Sequence, residues 1–258
     1  MEDWELRRLA AGVSAPGAAE PFGAYIFGTG EPGAELGRHL ERVIFLEAFG
    51  NTIDDLAREY RPYEASSLFI VVVDHERQLP AGVIRVVQPS PVGLKSLNDL
   101  ESEWGENAEA ALRRTGLEFG PEKIWDVATL AVPSEYRGRA TGGLVTMGLY
   151  QTLTMGARAS GIDLLVTILD MPVFRMLRWK MHMIFAGYRD VGPKPYLGSP
   201  ASIPSWCDLI YSDRHLAAVD PDLHGILYKG IGLEPALRRA DLSLITRTTA
   251  RDATAAAG

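Results

Sequence analysis

The sequence contains one cysteine, Cys207, among 258 residues, so the chain has no partner for an internal disulfide. It also lacks an apolar run of 18 residues, the length that a membrane-spanning helix needs. Its first residues are acidic and glycine-containing, unlike a signal peptide. We therefore expect a cytoplasmic protein with no membrane partner, and a thiol that belongs to the core.

An excess of positive charge is also lacking, because the formal net charge is −7. A surface that coats nucleic acid is normally basic, so the charge disfavours that role while leaving room for a small basic pocket. His182 and His215 have no spaced set of further ligands, and we expect no metal. GxxxxGK[ST] is absent, and so is a GxGxxG followed by an acid about 20 positions on, which weakens the P-loop and Rossmann interpretations.

What the sequence does contain is an alternation of apolar strands and helical segments, typical of an α/β layered domain with a mixed sheet. "SLFIVVVDHERQLPAGVIRVVQ" predicts a hairpin, and "IDLLVTIL" a central strand buried on both faces. "SLNDLESEWGENAEAALRRTG" predicts a charged helical insert capped by Ser96. The domain prediction is a flexible arm (1–20), the main domain (21–212), a C-terminal extension of unknown role (213–247) and a disordered tail (248–258).

The segment "SEYRGRATGGLV" (134–145) concentrates arginine and glycine where a predicted strand becomes a helix. A helix N-terminus offers unpaired amides and partial positive charge, and glycine lets the backbone approach a ligand. Arg137 and Arg139 add donors that match phosphate oxygens. The segment therefore predicts an anion site for a di- or triphosphate, and its simpler interpretation is a solvated connection.

The order Arg-x-x-Gly/Ala-x-Gly, directly after "VPSEYRG", resembles the donor loop of the GNAT acyltransferase superfamily. In that superfamily the loop holds the pyrophosphate of coenzyme A or the phosphopantetheine of a carrier, and the strand before it contacts the pantetheine arm. Ala140 stands where a glycine is usual. The resemblance implies a donor site made of Leu130, Ala131, Val132, Arg137, Gly138, Arg139, Ala140, Thr141, Gly142 and Gly143.

Three further segments resemble one branch of the superfamily, the acyl-homoserine-lactone and N-acyl amino acid synthases. They are "LFIVVVDHERQLPAGVIRVVQPS", "IWDVATLAVPSEYRG" and "FAGYRDVGPKPYLG". Trp125 and Asp126 keep the branch's aromatic–acid pair, but Thr129 replaces its arginine, which disfavours a homoserine-lactone product. The implied fold is a mostly antiparallel sheet with two splayed central parallel strands and helices on both faces.

Acyl transfer to an amine needs a base, donors for an oxyanion and a departing thiolate. Asp126 is the predicted base, acting directly or through a water, because a carboxylate in an apolar strand has a raised pKa; a buried acid satisfied by the protein is the alternative. Glu135, in the loop, is a weaker candidate. The tyrosine that serves as acid in GNAT proteins is replaced by Met183, which leaves Tyr188, Tyr196 or an unassisted thiolate.

On the acceptor side we predict Arg85, Trp125 and Thr129 as substrate residues. Arg85 lies within the apolar run "GVIRVV" and needs a carboxylate partner, from the substrate or from Asp126, unless it faces solvent. Four methionines are expected to line an acyl tunnel or simply to fill the core: Met171, Met176, Met181 and Met183.

Together these features predict an N-acyltransferase of specialised metabolism that moves an acyl group from acyl-CoA or an acyl carrier protein to a small-molecule amine. One alternative is the same fold with an aminoacyl-tRNA donor, which the acidic charge disfavours. The other is a non-catalytic module that binds a thioester or nucleotide. The sequence leaves open whether the protein forms a homodimer.

Overall fold

The computed structural model describes residues 1–14, 19–118, 120–138, 141, 143–243 and 245. Its strands are β1 (Phe22–Gly28), β2 (Ser67–Asp74), β3 (Leu79–Val87), β4 (Ile124–Ala131), β5 (Leu164–Asp170), β6 (Ala186–Gly187), β7 (Lys194–Tyr196), β8 (Ser199–Asp208) and β9 (Leu237–Arg238). Its α-helices are α1 (Asp3–Val13), α2 (Ala34–Phe49), α3 (Ile53–Tyr60), α4 (Lys95–Trp104), α5 (Ala108–Arg113), α6 (Leu144–Ala159), α7 (Met171–Lys180), α8 (Leu209–Val219) and α9 (Pro221–Lys229).

Within the described residues the nine strands form one sheet, in the order β6–β8–β5–β4–β3–β2–β1–β9, with β7 beside β8. Only β4–β5 and β1–β9 pair in parallel there; the other pairs are antiparallel. All eight residues of β2 are buried, because helices cover both faces of the sheet. The predicted fold class is confirmed.

Each face of the sheet has its own helical layer. The apolar side of α2, with Leu36, Leu40 and Ile44, packs on one face, and α3, α4 and α5 continue this layer. On the other face α6 is the central helix, and α7 and α9 flank it in the largest hydrophobic core. The sheet is therefore the middle layer of three.

The two central parallel strands separate partway along their length, as the resemblance predicts. Their pairing begins at Ile124 opposite Leu164 and ends at Asp126 opposite Val166. Beyond this point β4 stays paired with β3 and β5 stays paired with β8. A register shift in the β3–β4 ladder adds curvature where the strands part, because an extra residue bends its strand. The fork between β4 and β5 is thus built into the sheet.

Both terminal regions pack on this sheet. Residues 3–13, within the expected flexible arm, form α1, which buries Leu6 and Ala10. In the segment assigned to a C-terminal extension, β9 pairs with β1 and α9 packs on α6. There the Gln151 side chain donates to the carbonyl of Ile226 (2.9 Å). The tail at 248–258 lies outside the described residues.

Cys207 is fully buried in β8, and burial raises the pKa of its thiol to about 12, so the expectation of a core thiol is confirmed. Met181 and Met183 are buried in the core beneath α7, and Met171 and Met176 pack against it. Of the helices in the described ranges, none has both the length and the apolar character to cross a membrane.

Candidate active site

The fork between β4 and β5 opens into a cleft with a cavity of about 160 Å³. On the α6–α7 side its walls are mostly apolar, and on the α2–α4 side they carry the polar groups. The first set comprises Tyr150, Leu153, Val173, Leu177, Met183 and Phe185, and the second Phe45, Phe49, Tyr60, Lys95, Ser96 and Tyr196. Val127–Leu130 of β4 and Thr167–Asp170 of β5 form the walls between them. The cleft therefore offers an apolar half and a polar half.

Asp126 lies at the last paired position before the fork and has no exposed surface. Its carboxylate accepts two hydrogen bonds from Ser96, one from the backbone N–H (2.5 Å) and one from the hydroxyl (2.6 Å). Burial raises the pKa of Asp126 to about 6, although the Ser96 donors and the charge of Lys95 act against that rise. A carboxyl with this pKa changes protonation near neutral pH.

Ser96 is not the helix cap that the sequence predicts. Leu94, and not Ser96, is the N-cap of α4, and Ser96 is the second residue of the helix. Since Leu94 has no side-chain oxygen, Asp126 on β4 accepts from the first turn in its place. Ser96 lines the cleft, whereas Asp126 is not among the lining residues. Ser96 thus contacts the carboxylate and is also part of the cleft wall.

Lys95, which sequence reasoning did not select, is a buried cation on the polar wall of the cleft. Its Nζ donates to Glu59 (2.8 Å), Asp99 (2.5 Å) and the hydroxyl of Tyr196 (2.9 Å). Burial opposes the charge, but Tyr60, Tyr196 and Asp99 outweigh it and raise the pKa of Lys95 above its ordinary value. In sequence Lys95 looks like one more charge of a solvated helix, so only the tertiary contacts reveal it.

Arg85 pairs with protein carboxylates, and neither of them is Asp126. Its guanidinium donates to both carboxylate oxygens of Glu41 (2.9 and 2.6 Å) and to Glu64 (2.9 Å). Thr129 donates to the same Glu41 carboxylate (2.5 Å). The expected pairing of Arg85 with Asp126 is therefore wrong, and so is a solvent-facing position, because Arg85 is 4% exposed. The requirement for a carboxylate partner is met by α2 and by the turn after α3.

A second cavity of about 310 Å³ lies beside this network. Arg85 and Glu41 line it, and Tyr60 lines both it and the cleft. The Tyr60 ring lies 4.5 Å from the guanidinium carbon of Arg85, and its hydroxyl donates to the carbonyl of Ala128 (3.3 Å). Tyr60 thus separates the two cavities. A substrate contact of Arg85 in the second cavity stays a prediction.

The other predicted residues of the acceptor side and of the acid step fall in different places. Thr129 lines the cleft, whereas Trp125 is buried in the core on the α6 side. Tyr196 lines the cleft and donates to Asp99. Tyr188 is buried against Leu100 outside the lining of the cleft, and no described residue accepts from its hydroxyl. Of the two tyrosines, Tyr196 has access to the cleft.

The predicted donor loop follows β4 directly. Leu130 lines the cleft, while Ala131 and Val132 are buried and continue the strand toward the loop. Val132 is also held to the loop, because its carbonyl accepts from Nε of Arg137 (2.5 Å). The loop thus begins within one strand length of the cleft.

Two glycines give the loop its turn. Gly138 and Gly143 have φ of +55° and +81°, a region that favours glycine, and the Gly143 N–H donates to the Gly138 carbonyl (2.9 Å). Thr141 donates to the carbonyl of Tyr136 (2.8 Å), and α6 begins just after Gly143. Arg139, Ala140 and Gly142 lie outside the described residues.

No protein-family model matches the sequence, and no curated protein matches it. Solved structures do match. LasI, an acyl-homoserine-lactone synthase, aligns with a TM-score of 0.55 and 17% identity over 84% of this chain and 99% of its own. FeeM, an N-acyl amino acid synthase from uncultured soil microbes, gives 0.54 and 14% over 78% and 98%.

BjaI, a CoA-dependent acyl-homoserine-lactone synthase solved with SAM and isopentyl-CoA, gives a TM-score of 0.51 and 12% identity over 88% of this chain and 98% of its own. At these identities the matches establish the fold alone, which is GNAT-like, as the sequence resemblance implies. In the described part of the chain, no group of three or more His, Cys, Asp or Glu residues is placed to hold a metal ion.

Proposed function

We propose that this protein is an N-acyltransferase that moves an acyl group from a thioester donor to the amine of a small molecule. The observation that carries the proposal is the fork between β4 and β5, with the Asp126–Ser96 pair at its closed end. A fork in the sheet lets an extended donor take the place of a neighbouring strand. A carboxyl with a pKa of about 6 at that point is suited to accept a proton near neutral pH.

The donor enters, in this proposal, from the loop that joins β4 to α6. Its phosphate groups bind the loop around Arg137 and the first turn of α6, where backbone amides and the helix dipole favour an anion. The pantetheine arm then runs along residues 130–132, and an amide of that stretch polarises the thioester carbonyl. The acyl group occupies the apolar half of the cleft.

The acceptor amine occupies the polar half, beside Ser96 and Lys95. It attacks the thioester carbonyl, its proton goes toward Asp126, and the thiolate leaves. Tyr196 is better placed than Tyr188 to protonate the thiolate, because it lines the cleft. Thr129, where the synthase branch has arginine, disfavours a homoserine-lactone product and supports a different amine as the acceptor.

The test is a matrix of thioester donors against small amines, scored by thiol release and by mass spectrometry of the amide. Acetyl-CoA, longer acyl-CoAs, acyl-pantetheine and acyl carrier protein distinguish the donor classes. For an accepted pair, Asp126→Asn should lower kcat by roughly 10²–10⁴ with little change in donor affinity. Asp163→Asn, which removes a carboxylate paired with Lys123 outside the cleft, is the matched control.

Three results decide against the proposal or redirect it. Donor binding without turnover for any amine would favour a non-catalytic thioester-binding module. Turnover only with an aminoacyl-tRNA would place the protein with the alternative donor class. An Asp126→Asn variant with wild-type kcat and an unchanged pH–rate profile would assign Asp126 to structure alone.

A further inference from the structure

We propose that Ser96 is a catalytic residue: its hydroxyl takes the proton from the acceptor nitrogen and passes its own proton to Asp126. The inference rests on the proposed function and assigns a route for a step that the function leaves open. Neither the sequence patterns nor the comparisons point to Ser96, because it lies in the helical insert formed by α4.

The geometry requires an intermediary. Asp126 has no exposed surface and does not line the cleft, so a substrate in the cleft has no direct contact with its carboxylate. Ser96 does line the cleft, and its hydroxyl lies 2.6 Å from the Oδ1 of Asp126. When the hydroxyl hydrogen points to Asp126, the lone pairs of Oγ remain available to a donor in the cleft.

The Ser96 hydroxyl is also held in place. The backbone N–H of the same residue donates to the other carboxylate oxygen (2.5 Å), so backbone and side chain grip Asp126 together. This two-point contact fixes the carboxylate and orients the hydroxyl without a third residue. A proton acceptor and its relay are therefore preorganised, which is what a rapid proton transfer requires.

The amine nitrogen forms a bond to the thioester carbon, giving a tetrahedral intermediate with a cationic nitrogen and an oxyanion. An N–H bond of that nitrogen breaks as Oγ of Ser96 takes the proton, and the original Oγ–H proton moves to Asp126. Collapse of the oxyanion breaks the C–S bond, and the amide and a thiolate result. Ser96 ends neutral, and the proton of Asp126 returns through the Ser96 hydroxyl, which passes its own proton to the thiolate or to solvent.

The surroundings keep Asp126 available as a base. The titratable groups that act on it are Lys95 and Asp99 from α4, Tyr60 from α3, and the phenols Tyr63 and Tyr188. Lys95, the cation among them, is already held by Glu59, Asp99 and Tyr196, so it forms no salt bridge with Asp126. Neutral donors from Ser96 hold the carboxylate, and it can be protonated without breaking an ion pair.

Ser96→Ala tests the route. We expect kcat to fall by roughly 10²–10⁴ while donor affinity changes little, and Ser96→Thr, which keeps a hydroxyl, to restore most of the rate. Loss of the hydroxyl also removes a hydrogen bond that lowers the pKa of Asp126, so the pH–rate profile shifts upward. Comparison at the high-pH plateau separates the effects. A plateau equal to that of the wild type would mean that Ser96 only tunes the pKa.

Thr52→Ala is the matched control, since the hydroxyl and the backbone N–H of Thr52 also donate together to one carboxylate, that of Asp55, outside the lining of the cleft. It should keep a near-wild-type kcat. The double variant Ser96→Ala/Asp126→Asn should be no slower than the slower single variant, because both act in one relay. Additive losses would overturn the relay.

A measurement on the wild type removes dependence on variant folding. If two protons move together, a plot of kcat against the deuterium fraction of the solvent is curved, whereas a single proton transfer gives a straight line. A straight line for the wild type overturns the proposal, and so does a Ser96-acylated enzyme in the mass spectrum. If the wild type transfers acyl groups and these tests fail, only the relay is wrong; if it transfers none, the proposed function itself fails.

Discussion

Arg85 and Asp126 lie on adjacent strands of the sheet and face the same helical layer, yet their charges are treated in opposite ways. Each is buried in an apolar run, with 4% and 0% exposure. Arg85 has two carboxylates within 2.9 Å, whereas among the described residues Asp126 accepts hydrogen bonds from the neutral donors of Ser96 alone. The pKa of Arg85 is raised, so it remains charged, while burial moves the pKa of Asp126 to about 6.

The difference teaches which buried charge is free to react. The two carboxylates stabilise the charged form of Arg85, so Arg85 keeps its proton. Its ion pairs join α2, β3 and the turn after α3. A carboxylate held by dipoles alone is poised between its two forms. Tyr150 extends the comparison to a third case, since no described residue bonds to its buried hydroxyl.

The largest effect is expected from breaking the matched network. Glu41→Ala leaves Arg85 buried with one of its two carboxylate partners, Glu64, and also removes the acceptor of Thr129. Breaking a buried ion pair in this way costs about 3–5 kcal/mol, which urea unfolding followed by circular dichroism would measure. Glu35→Ala removes a 41%-exposed partner of Arg38 and should cost less than about 1 kcal/mol. Equal losses in both variants would contradict the structural role of the network.

Substitution of Asp126 is expected to stabilise the fold, whereas substitution of Glu41 destabilises it. The folded pKa of Asp126, about 6, exceeds the ordinary 3.8, so the carboxylate destabilises the folded state increasingly as pH rises from about 4 through 6. At 1.4 kcal/mol per pKa unit, the full cost above that window is at most about 3 kcal/mol. Asp126→Asn should therefore be more stable than the wild type at pH 8, and the gain should vanish at pH 3. A gain independent of pH would contradict this assignment.

Arg85 and Asp126 also show how much of the site the sequence could predict. The apolar runs predict the strands, because a buried strand has a local signature in the sequence, and the resemblance predicts the fork between β4 and β5. The same patterns identify Arg85 and Asp126 as buried charges. Their partners were not predictable, since Glu41 and Ser96 are 44 and 30 residues away in the chain. Lys95 was missed for the same reason: three long-range or helical contacts decide its role, and none has a local signature.

Arg137 is the contrasting arginine, because it is exposed and its Nε donates to a backbone carbonyl and not to a carboxylate. No described residue accepts from its remaining N–H groups, so a phosphate can accept from them. A charged hydrogen bond contributes about 1.5–3 kcal/mol, so Arg137→Ala should weaken an acyl-CoA donor roughly 10- to 150-fold. Calorimetric titration would measure this loss, with the exposed Arg113→Ala variant as the control.

A truncated donor sharpens the same test. Acyl-pantetheine lacks the diphosphate and should bind the Arg137→Ala variant as well as it binds the wild type. The same comparison with Arg139→Ala extends the test to the second arginine of the loop, which lies outside the described residues. Equal weakening of both donors would mean that the arginine holds the loop to Val132 and binds no phosphate.

The smallest effect is expected at Tyr150, the buried polar group with no described partner. Its hydroxyl is enclosed on the wall of the cleft, and burial raises its pKa. Because an unsatisfied buried hydroxyl costs free energy, Tyr150→Phe should stabilise the protein by about 1 kcal/mol. Tyr136→Phe, which removes a buried hydroxyl that donates to Asp74 (3.0 Å), should instead destabilise it. If Tyr150→Phe is less stable than the wild type in urea unfolding, an ordered water in the cleft satisfies the hydroxyl. Tyr150 is then, like Asp126, a buried polar group held by a neutral partner.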